Sequence, residues 1–180
     1  MIMFGMKERP WYVFTGGPGA GKTTLLNEFT RLGYHTVPEV ARRIFEMEMQ
    51  SGRTVEDIRK KMGLFQHVVL DEALKQESLI PSDTTAFLDR GIPDSIAYYR
   101  FFELPRDRVL DHALAHASYK KIFLLELVSN ENDGVRAETR EEAIFLHHLI
   151  AQAYVENGYE LTRVPVMSIG DRRDFVLANL

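Results

Sequence analysis

The glycine-rich stretch FTGGPGAGKTT, at positions 14–24, constrains the fold of this chain more than any other feature. Its glycines and its proline disfavour both helix and strand. Residues 16–23 match the pattern G-x-x-x-x-G-K-[ST] in full. The apolar run at 11–15 predicts a buried strand before this segment, and the period of 21–32 predicts a helix after it. This strand–loop–helix order is the context that a phosphate-binding P-loop, or Walker A motif, requires.

The remaining chain alternates between short apolar runs and amphipathic helical patterns. Strands separated by helices imply a parallel sheet that is covered on both faces. No repeat or linker divides the sequence, which predicts one domain over residues 1–180. We therefore expect a three-layer α/β/α P-loop NTPase fold with a mostly parallel five-stranded sheet and a lid segment. The predicted strands are 11–15, 34–37, 85–88, 121–127 and 159–164, and the later predicted helices are 39–49, 55–79, 92–102, 139–156 and 171–180.

Composition excludes several classes of protein. The net charge of −4 argues against a general binder of polymeric nucleic acid or of membrane surfaces, since such partners need an excess of Lys and Arg. The absence of cysteine excludes disulfides and thiolate metal sites. No apolar stretch approaches the ~18 to 20 residues of a membrane span. We expect a cytoplasmic protein, and the sequence leaves its oligomeric state open.

The glycine-rich loop, defined here as residues 16–23, predicts a site for ATP or GTP with Mg²⁺. Glycines let successive N–H groups point into one concavity, and the helix that follows adds the positive end of its dipole. Lys22 is predicted to reach the β- and γ-phosphates, and the Thr23 hydroxyl to bind Mg²⁺. The predicted nucleotide contacts are Gly16, Gly17, Pro18, Gly19, Ala20, Gly21, Lys22, Thr23 and Thr24.

Three further charged residues follow predicted strands, where ligands bind in doubly wound sheets. Asp89 is suited to organise Mg²⁺ or to accept a proton, and Arg90 to grip a phosphate. Glu39 is placed within reach of a substrate hydroxyl or the metal. Each has a structural alternative: Asp89 and Arg90 as a surface ion pair, and Glu39 as a first-turn acid of the next helix. Which of the two acids is the base stays open.

The segment SNENDGVRAETREEA, at 129–143, predicts a lid. Its first half is rich in turn-forming residues, and Arg136 and Arg140 follow. A mobile segment with arginines can close over a phosphate site and place positive charge on the transferring group. Of the two, Arg136 is the predicted catalytic residue.

Other features are weaker functional candidates. Residues 164–166 are predicted to border a nucleotide base, with Arg172 or Arg173 stacking on it. At most one of Arg42 and Arg43 is expected to face the cleft, with the other a solvated charge. The aromatic residues at 98–102 predict core and a substrate-pocket wall. Two histidine pairs lack the further ligands that a metal site needs, and structural roles are expected for them; these pairs are His112 with His116 and His147 with His148.

The motifs TGGPGAGKTTLL, VPEVARRI, FLDRGIPDSIAYY, DGVR and GYELTRVP resemble the AAA-type predicted ATPase/kinase domain family of P-loop proteins. Glu39 and the Asp89–Arg90 pair are similar to features of deoxynucleoside and thymidylate kinases, which implies a kinase-type topology with a lid. The chain lacks the hydrophobic run ending in Asp-Glu of ring-forming motors. Two functions are expected: an Mg²⁺·ATP-dependent phosphotransferase with a small, nucleoside-like acceptor, or a nucleotide-hydrolysing switch that acts through a protein partner.

Overall fold

The computed structural model describes residues 9–128 and 139–180. Strands and helices alternate along these residues, as the sequence predicts. The strands are β1 (Trp11–Thr15), β2 (His35–Val37), β3 (Ala86–Asp89), β4 (Lys121–Leu125) and β5 (Leu161–Val164). The helices are α1 (Lys22–Arg31), α2 (Val40–Gln50), α3 (Val55–Lys60), α4 (Met62–Ser78), α5 (Asp94–Phe101), α6 (Arg108–His116), α7 (Arg140–Glu156) and α8 (Ile169–Ala178).

The five strands form one sheet in the order β2-β3-β1-β4-β5, and every pairing in it is parallel. Phe14 of β1 lies opposite Asp89 of β3, and Val37 of β2 lies opposite Leu88. The loops that follow β1, β2 and β3 therefore leave the sheet side by side at its carboxyl edge. This arrangement confirms the predicted α/β fold and brings the predicted site residues of three separate loops together.

Side chains from alternate strand positions fill two separate cores, one on each face of the sheet. On one face, Val13 and Leu124 pack with Ile150 of α7. On the other, Phe14 packs with Phe29 of α1. Because both faces are covered, the central strands are apolar at nearly every position, which is typical of parallel sheets. Within the described residues, no helix combines the length and the apolarity that a membrane crossing needs.

Two helical predictions need correction. The helix expected over 55–79 is interrupted at Lys61, whose backbone (φ −118°, ψ 32°) leaves the helical region just before Gly63. The predicted start is confirmed, because Thr54 accepts from the Asp57 N–H and the Asp57 side chain accepts from the Thr54 N–H. Helix α6 was not predicted. It begins after Asp107, whose carboxylate accepts from the Leu110 N–H and caps the helix.

A buried carboxyl group links α4 to the turn after β3. Tyr119 donates its hydroxyl proton to Oε1 of Glu77 over 2.6 Å and accepts from the Ile92 N–H at 2.8 Å. Burial raises the pKa of Glu77 to about 7, although the Tyr119 hydrogen bond opposes this rise. The folded protein therefore holds a proton on Glu77 that the unfolded chain releases at lower pH.

This proton makes stability depend on pH. Because the folded pKa of Glu77 lies above its ordinary value, the free energy of unfolding should fall as pH rises from about 4.5 to about 7. Glu77→Gln keeps an acceptor for Tyr119 and removes the titration, so at pH 8 it should be more stable than the wild type by up to roughly 3 kcal/mol. Urea unfolding at several pH values checks this, with Glu160→Gln at an exposed site as the control. If the free energy of unfolding varied with pH in the same way in the wild type and in Glu77→Gln, Glu77 would not be the source of the pH dependence.

Candidate active site

A cavity of about 720 Å³ opens at the carboxyl edge of the sheet. Its polar end is lined by the glycine-rich loop and by charged residues that follow β2 and β3. Its apolar end is lined by aromatic and aliphatic side chains of α2, α4 and α5. The residues that line the cavity include Lys22, Thr23, Glu39, Arg42, Phe45, Phe65, Gln66, Asp89, Arg90, Asp94, Tyr98, Phe101 and Phe102.

The glycine-rich loop adopts a backbone that other residues rarely take. The φ angles of Gly16, Gly19 and Gly21 are 134°, 85° and 83°. A Cβ on Gly16 would also lie 2.6 Å from the Leu125 carbonyl oxygen. Gly21 caps the N-terminus of α1 without any side-chain hydrogen bond to the helix. The free N–H groups at this helix end therefore remain available to an anion in the cavity.

Lys22 is folded back onto the glycine-rich loop. Its ammonium group donates to the carbonyl oxygens of Gly16 and Gly17 at 3.1 Å each. Burial and the neighbouring Arg90 lower the pKa of Lys22, while the carboxylates of the site counteract this effect. The loop thus holds a buried cation next to the free amides of α1, where a phosphate group would complete its coordination.

Thr23 and Asp89 form the next part of the site. The Thr23 hydroxyl donates to Oδ2 of Asp89 at 2.8 Å. Burial raises the pKa of Asp89 to about 6, and Oδ1 of this carboxyl is buried without a hydrogen-bond partner among the described residues. Mg²⁺ prefers oxygen ligands, such as a hydroxyl group and a carboxylate. The unsatisfied Oδ1 of Asp89 leaves one such oxygen open to a ligand. These two residues fit the predicted metal site.

Arg90 connects three loops from a strained position. Its φ is 76°, in the left-handed region. The guanidinium donates to Glu39 Oε1 at 2.7 Å, to Asp94 Oδ1 at 2.8 Å and to the Gly16 carbonyl at 3.2 Å. Burial alone would raise the pKa of Glu39, but the charges of Arg90 and Lys22 outweigh it and lower that pKa. Glu39 is thus held ionised in the cavity.

Asp94 is a site residue that the sequence did not reveal. Its Oδ1 accepts from Thr15 at 2.8 Å, and its Oδ2 accepts from the Tyr154 hydroxyl at 2.6 Å and the Gly91 N–H at 3.1 Å. Together with Arg90, these groups saturate a buried carboxylate and fix the turn after β3. Arg90 precedes α5 and has a left-handed backbone, so helical spacing could not have predicted its pairing with Asp94.

The apolar end of the cavity agrees in part with the predicted aromatic wall. Tyr98, Phe101 and Phe102 line it, and Phe45, Phe65 and the buried Gln66 face them from α2 and α4. Tyr99 does not line the cavity, and its hydroxyl forms hydrogen bonds with His67 and Asp107. As expected, one member of the arginine pair faces the cleft: Arg42 lines the cavity, and Arg43 pairs with Glu72 on the surface.

The prediction that Arg172 stacks on a nucleotide base does not fit its placement. Its guanidinium is buried and donates to the carbonyl oxygens of Ala20 at 2.6 Å, Pro165 at 3.1 Å and Glu126 at 3.2 Å. Arg172 thus stabilises the glycine-rich loop by donating to the carbonyl oxygen of Ala20. Arg173 is partly exposed and pairs with Asp174 and Glu28.

The remaining candidates divide between described and undescribed residues. Arg136 lies outside the described residues, so the predicted lid stays a prediction.

His147 is buried, and its Nδ1 accepts from the Gly17 N–H, whereas His148 is exposed. In residues 9–128 and 139–180, no group of three or more His, Asp or Glu side chains is arranged to hold a metal ion. The rings of His112 and His116 lie 4.2 Å apart.

This chain is similar to proteins of known sequence and structure. Residues 11–172 match the sequence profile of the AAA domain family. A search of curated proteins found no sequence match. Deoxyadenosine kinase from M. mycoides superimposes with a TM-score of 0.65 at 15% identity, over 94% of this chain and 97% of the kinase. Thymidylate kinase from Ehrlichia chaffeensis gives 0.60 at 15% identity, over 94% and 97%.

The NadR protein superimposes with a TM-score of 0.70 at 18% identity, over 93% of this chain and 49% of NadR. The present chain therefore corresponds to about half of NadR. All three likenesses concern the fold, because the identities are low. The profile match spans most of the sequence, and the chain therefore belongs to the AAA domain family, with the fold of a kinase-like P-loop NTPase.

Proposed function

We propose that this protein is an Mg²⁺·ATP-dependent phosphotransferase that acts on a small, nucleoside-like acceptor with a hydroxyl group. One observation carries the proposal: a single cavity is lined by the glycine-rich loop, the Thr23–Asp89 pair, the Glu39 carboxylate and a set of aromatic side chains. The cavity volume of about 720 Å³ lies within the range of roughly 300 to 1,000 Å³ that small-molecule sites occupy.

The donor nucleotide is assigned to the polar end of the cavity. The amides at the N-terminus of α1 bind the phosphates, and Lys22 exchanges its contacts with Gly16 and Gly17 for phosphate oxygens. Thr23 and Asp89 would hold Mg²⁺, which neutralises charge on the phosphates when it is bound. Binding of a cation also favours the ionised form of Asp89, whose pKa is otherwise raised by burial.

The acceptor is assigned to the aromatic end, with its hydroxyl against Glu39. The ionised carboxylate accepts a hydrogen bond from the hydroxyl and orients its oxygen toward the γ-phosphorus. The new bond joins that oxygen to phosphorus as the bond to the β,γ-bridging oxygen breaks. The hydroxyl proton passes to Glu39 and ADP is the leaving group. Arg90 holds Glu39 at 2.7 Å and keeps the carboxylate in place.

The ligands of the structural neighbours support a nucleoside-like acceptor. Deoxyadenosine kinase from M. mycoides was solved with dATP and with dCTP, and NadR with NR and with NAD and AMP-PNP. The aromatic lining of this cavity suits a flat ring, because stacked and edge-to-face ring pairs add to the energy of apolar burial. Gln66 also lines the cavity, and its Nε2 contacts Sδ of Met62 at 3.7 Å, a weak acceptor that a polar ring edge can replace.

Lys22→Ala tests the donor end. The change removes a buried ammonium group from the glycine-rich loop, and the Kd for Mg²⁺·ATP should rise about 10- to 100-fold, as expected for charge-assisted hydrogen bonds. Isothermal titration with a non-hydrolysable ATP analogue measures this, and Lys60→Ala, on the exposed side of α3, is the matched control. Unchanged affinity in Lys22→Ala would contradict the assigned phosphate site.

Asp89→Asn tests the metal assignment. The amide keeps an acceptor for Thr23 but removes the charge, so turnover should fall at least ~100-fold while ATP-analogue affinity changes much less. Initial rates at several Mg²⁺ concentrations, compared with Asp83→Asn in the turn before β3, give the result. Equal losses of affinity and rate would indicate a purely structural aspartate.

Glu39→Gln separates a kinase from a nucleotide-hydrolysing switch. The amide still accepts a hydrogen bond from Arg90 but cannot take a proton, so acceptor-dependent ADP release should fall by ~10² to 10⁴ while ATP binding survives. ADP release is measured with and without a panel of nucleosides, and Glu56→Gln on the surface of α3 is the control. Hydrolysis that needs no acceptor and is unchanged in Glu39→Gln would refute the kinase proposal in favour of the switch.

A further inference from the structure

A direct contact between α7 and the glycine-rich loop sets the position of Gly17. The Gly17 N–H donates to Nδ1 of His147 at 3.2 Å, and both residues are buried. The carbonyl oxygen of the same residue accepts from Lys22 at 3.1 Å. One glycine of the loop is therefore held at both ends of its backbone, by α7 on one side and by the site lysine on the other.

The packing of α7 against the glycine-rich loop leaves no room for a side chain at Gly17. A Cβ at this position would lie 2.6 Å from the carbonyl oxygen of Ala143, 3.1 Å from Cβ of His147 and 3.1 Å from a methyl group of Leu127. No positive φ requires glycine here, in contrast to Gly16, Gly19 and Gly21. The backbone of the loop thus lies directly on the first two turns of α7.

The chemistry of His147 fits the role of an acceptor. A ring nitrogen accepts a hydrogen bond only in the neutral imidazole, so the proton must be on Nε2. Burial lowers the pKa of His147, although the carboxylate of Glu126 opposes this, and the ring is held neutral. Nε2 has no hydrogen-bond partner among the described residues and lies 3.6 Å from Oε2 of Glu126. The Gly17 amide is thus the hydrogen-bond partner that the structure gives this ring.

The same helix also holds the other half of the site. Tyr154 follows His147 by seven residues, which is about two helical turns, so both side chains leave the same face of α7. The Tyr154 hydroxyl donates to Asp94 and accepts from the Gly91 N–H, and so fixes the turn that carries Arg90. One face of α7 therefore contacts both the glycine-rich loop and the turn that carries Arg90.

We propose that His147, in its neutral form with the proton on Nε2, is a positioning residue for the nucleotide. By accepting from the Gly17 N–H, it fixes the Gly16–Gly17 peptide, so that the Gly16 carbonyl stays directed toward Lys22 and Arg90 and the following amides stay directed into the cavity. This inference rests on the proposed nucleotide site. Without the acceptor, a buried N–H loses its partner and the loop must rearrange before it can bind phosphate.

Two amide side chains test the position of the acceptor atom. In Asn, Oδ1 is attached to Cγ, as Nδ1 is in His, whereas in Gln the oxygen lies one bond further from the backbone. His147→Asn should therefore recover most of the affinity for Mg²⁺·AMP-PNP that His147→Leu loses. His147→Gln should bind about 5- to 100-fold more weakly than the wild type, as expected for an unsatisfied buried amide. His148→Gln, the same change at the exposed neighbour, is the matched control.

Isothermal titration gives each Kd, and thermal unfolding confirms that Asn and Gln variants are equally folded. Tighter binding by His147→Asn than by His147→Gln at equal melting temperature supports the positioning role, since a general loss of packing would affect both alike. Equal affinities in the two variants would overturn it. Failure of the wild type itself to bind AMP-PNP would instead refute the proposed nucleotide site, and the inference would fall with it.

Discussion

The buried guanidinium of Arg90 is the group on which the geometry of the site depends. A buried cation is tolerated only when it is paired and hydrogen-bonded, and Arg90 finds its partners on three loops: Glu39, Asp94 and the Gly16 carbonyl. Its left-handed backbone costs on the order of 1 to 3 kcal/mol, which the surrounding contacts must offset. Loss of any one partner would leave an N–H of the buried guanidinium without its hydrogen bond. The three loops are therefore positioned as a unit.

This pairing also decides which groups remain available to ligands. Glu39 is ionised but keeps part of its surface in the cavity, while Asp94 is saturated and serves the structure. Asp89 retains an oxygen with no hydrogen-bond partner in the described part of the chain, and Lys22 is held by carbonyl groups that a phosphate can replace. The polar end of the cavity thus offers cation, amides and carboxylate in separate places. The apolar end offers aromatic surface, and this division supports a donor and an acceptor bound side by side.

Local sequence signals predicted the fold well. The alternating strands and helices, the glycine-rich loop and the capping box at Thr54 all depend on residues that are near each other in the chain. The errors also have local causes. The helix over 55–79 is broken at Lys61, and α6 lies where the sequence predicts no helix, although Asp107 provides a capping residue. Periodicity shows which residues face the core but not where a helix changes direction.

The phosphate-loop pattern, the parallel α/β architecture and the acidic and basic residues at the strand ends can be predicted from the amino-acid sequence, because each is encoded within a few neighbouring positions. The roles of Asp94, His147 and Arg172 follow from the fold alone. Their partners Thr15, Gly17 and Ala20 lie 79, 130 and 152 residues away in the chain. A buried polar side chain takes its role from whichever unsatisfied group the fold brings to it, and pattern and propensity carry no information about contacts over such separations.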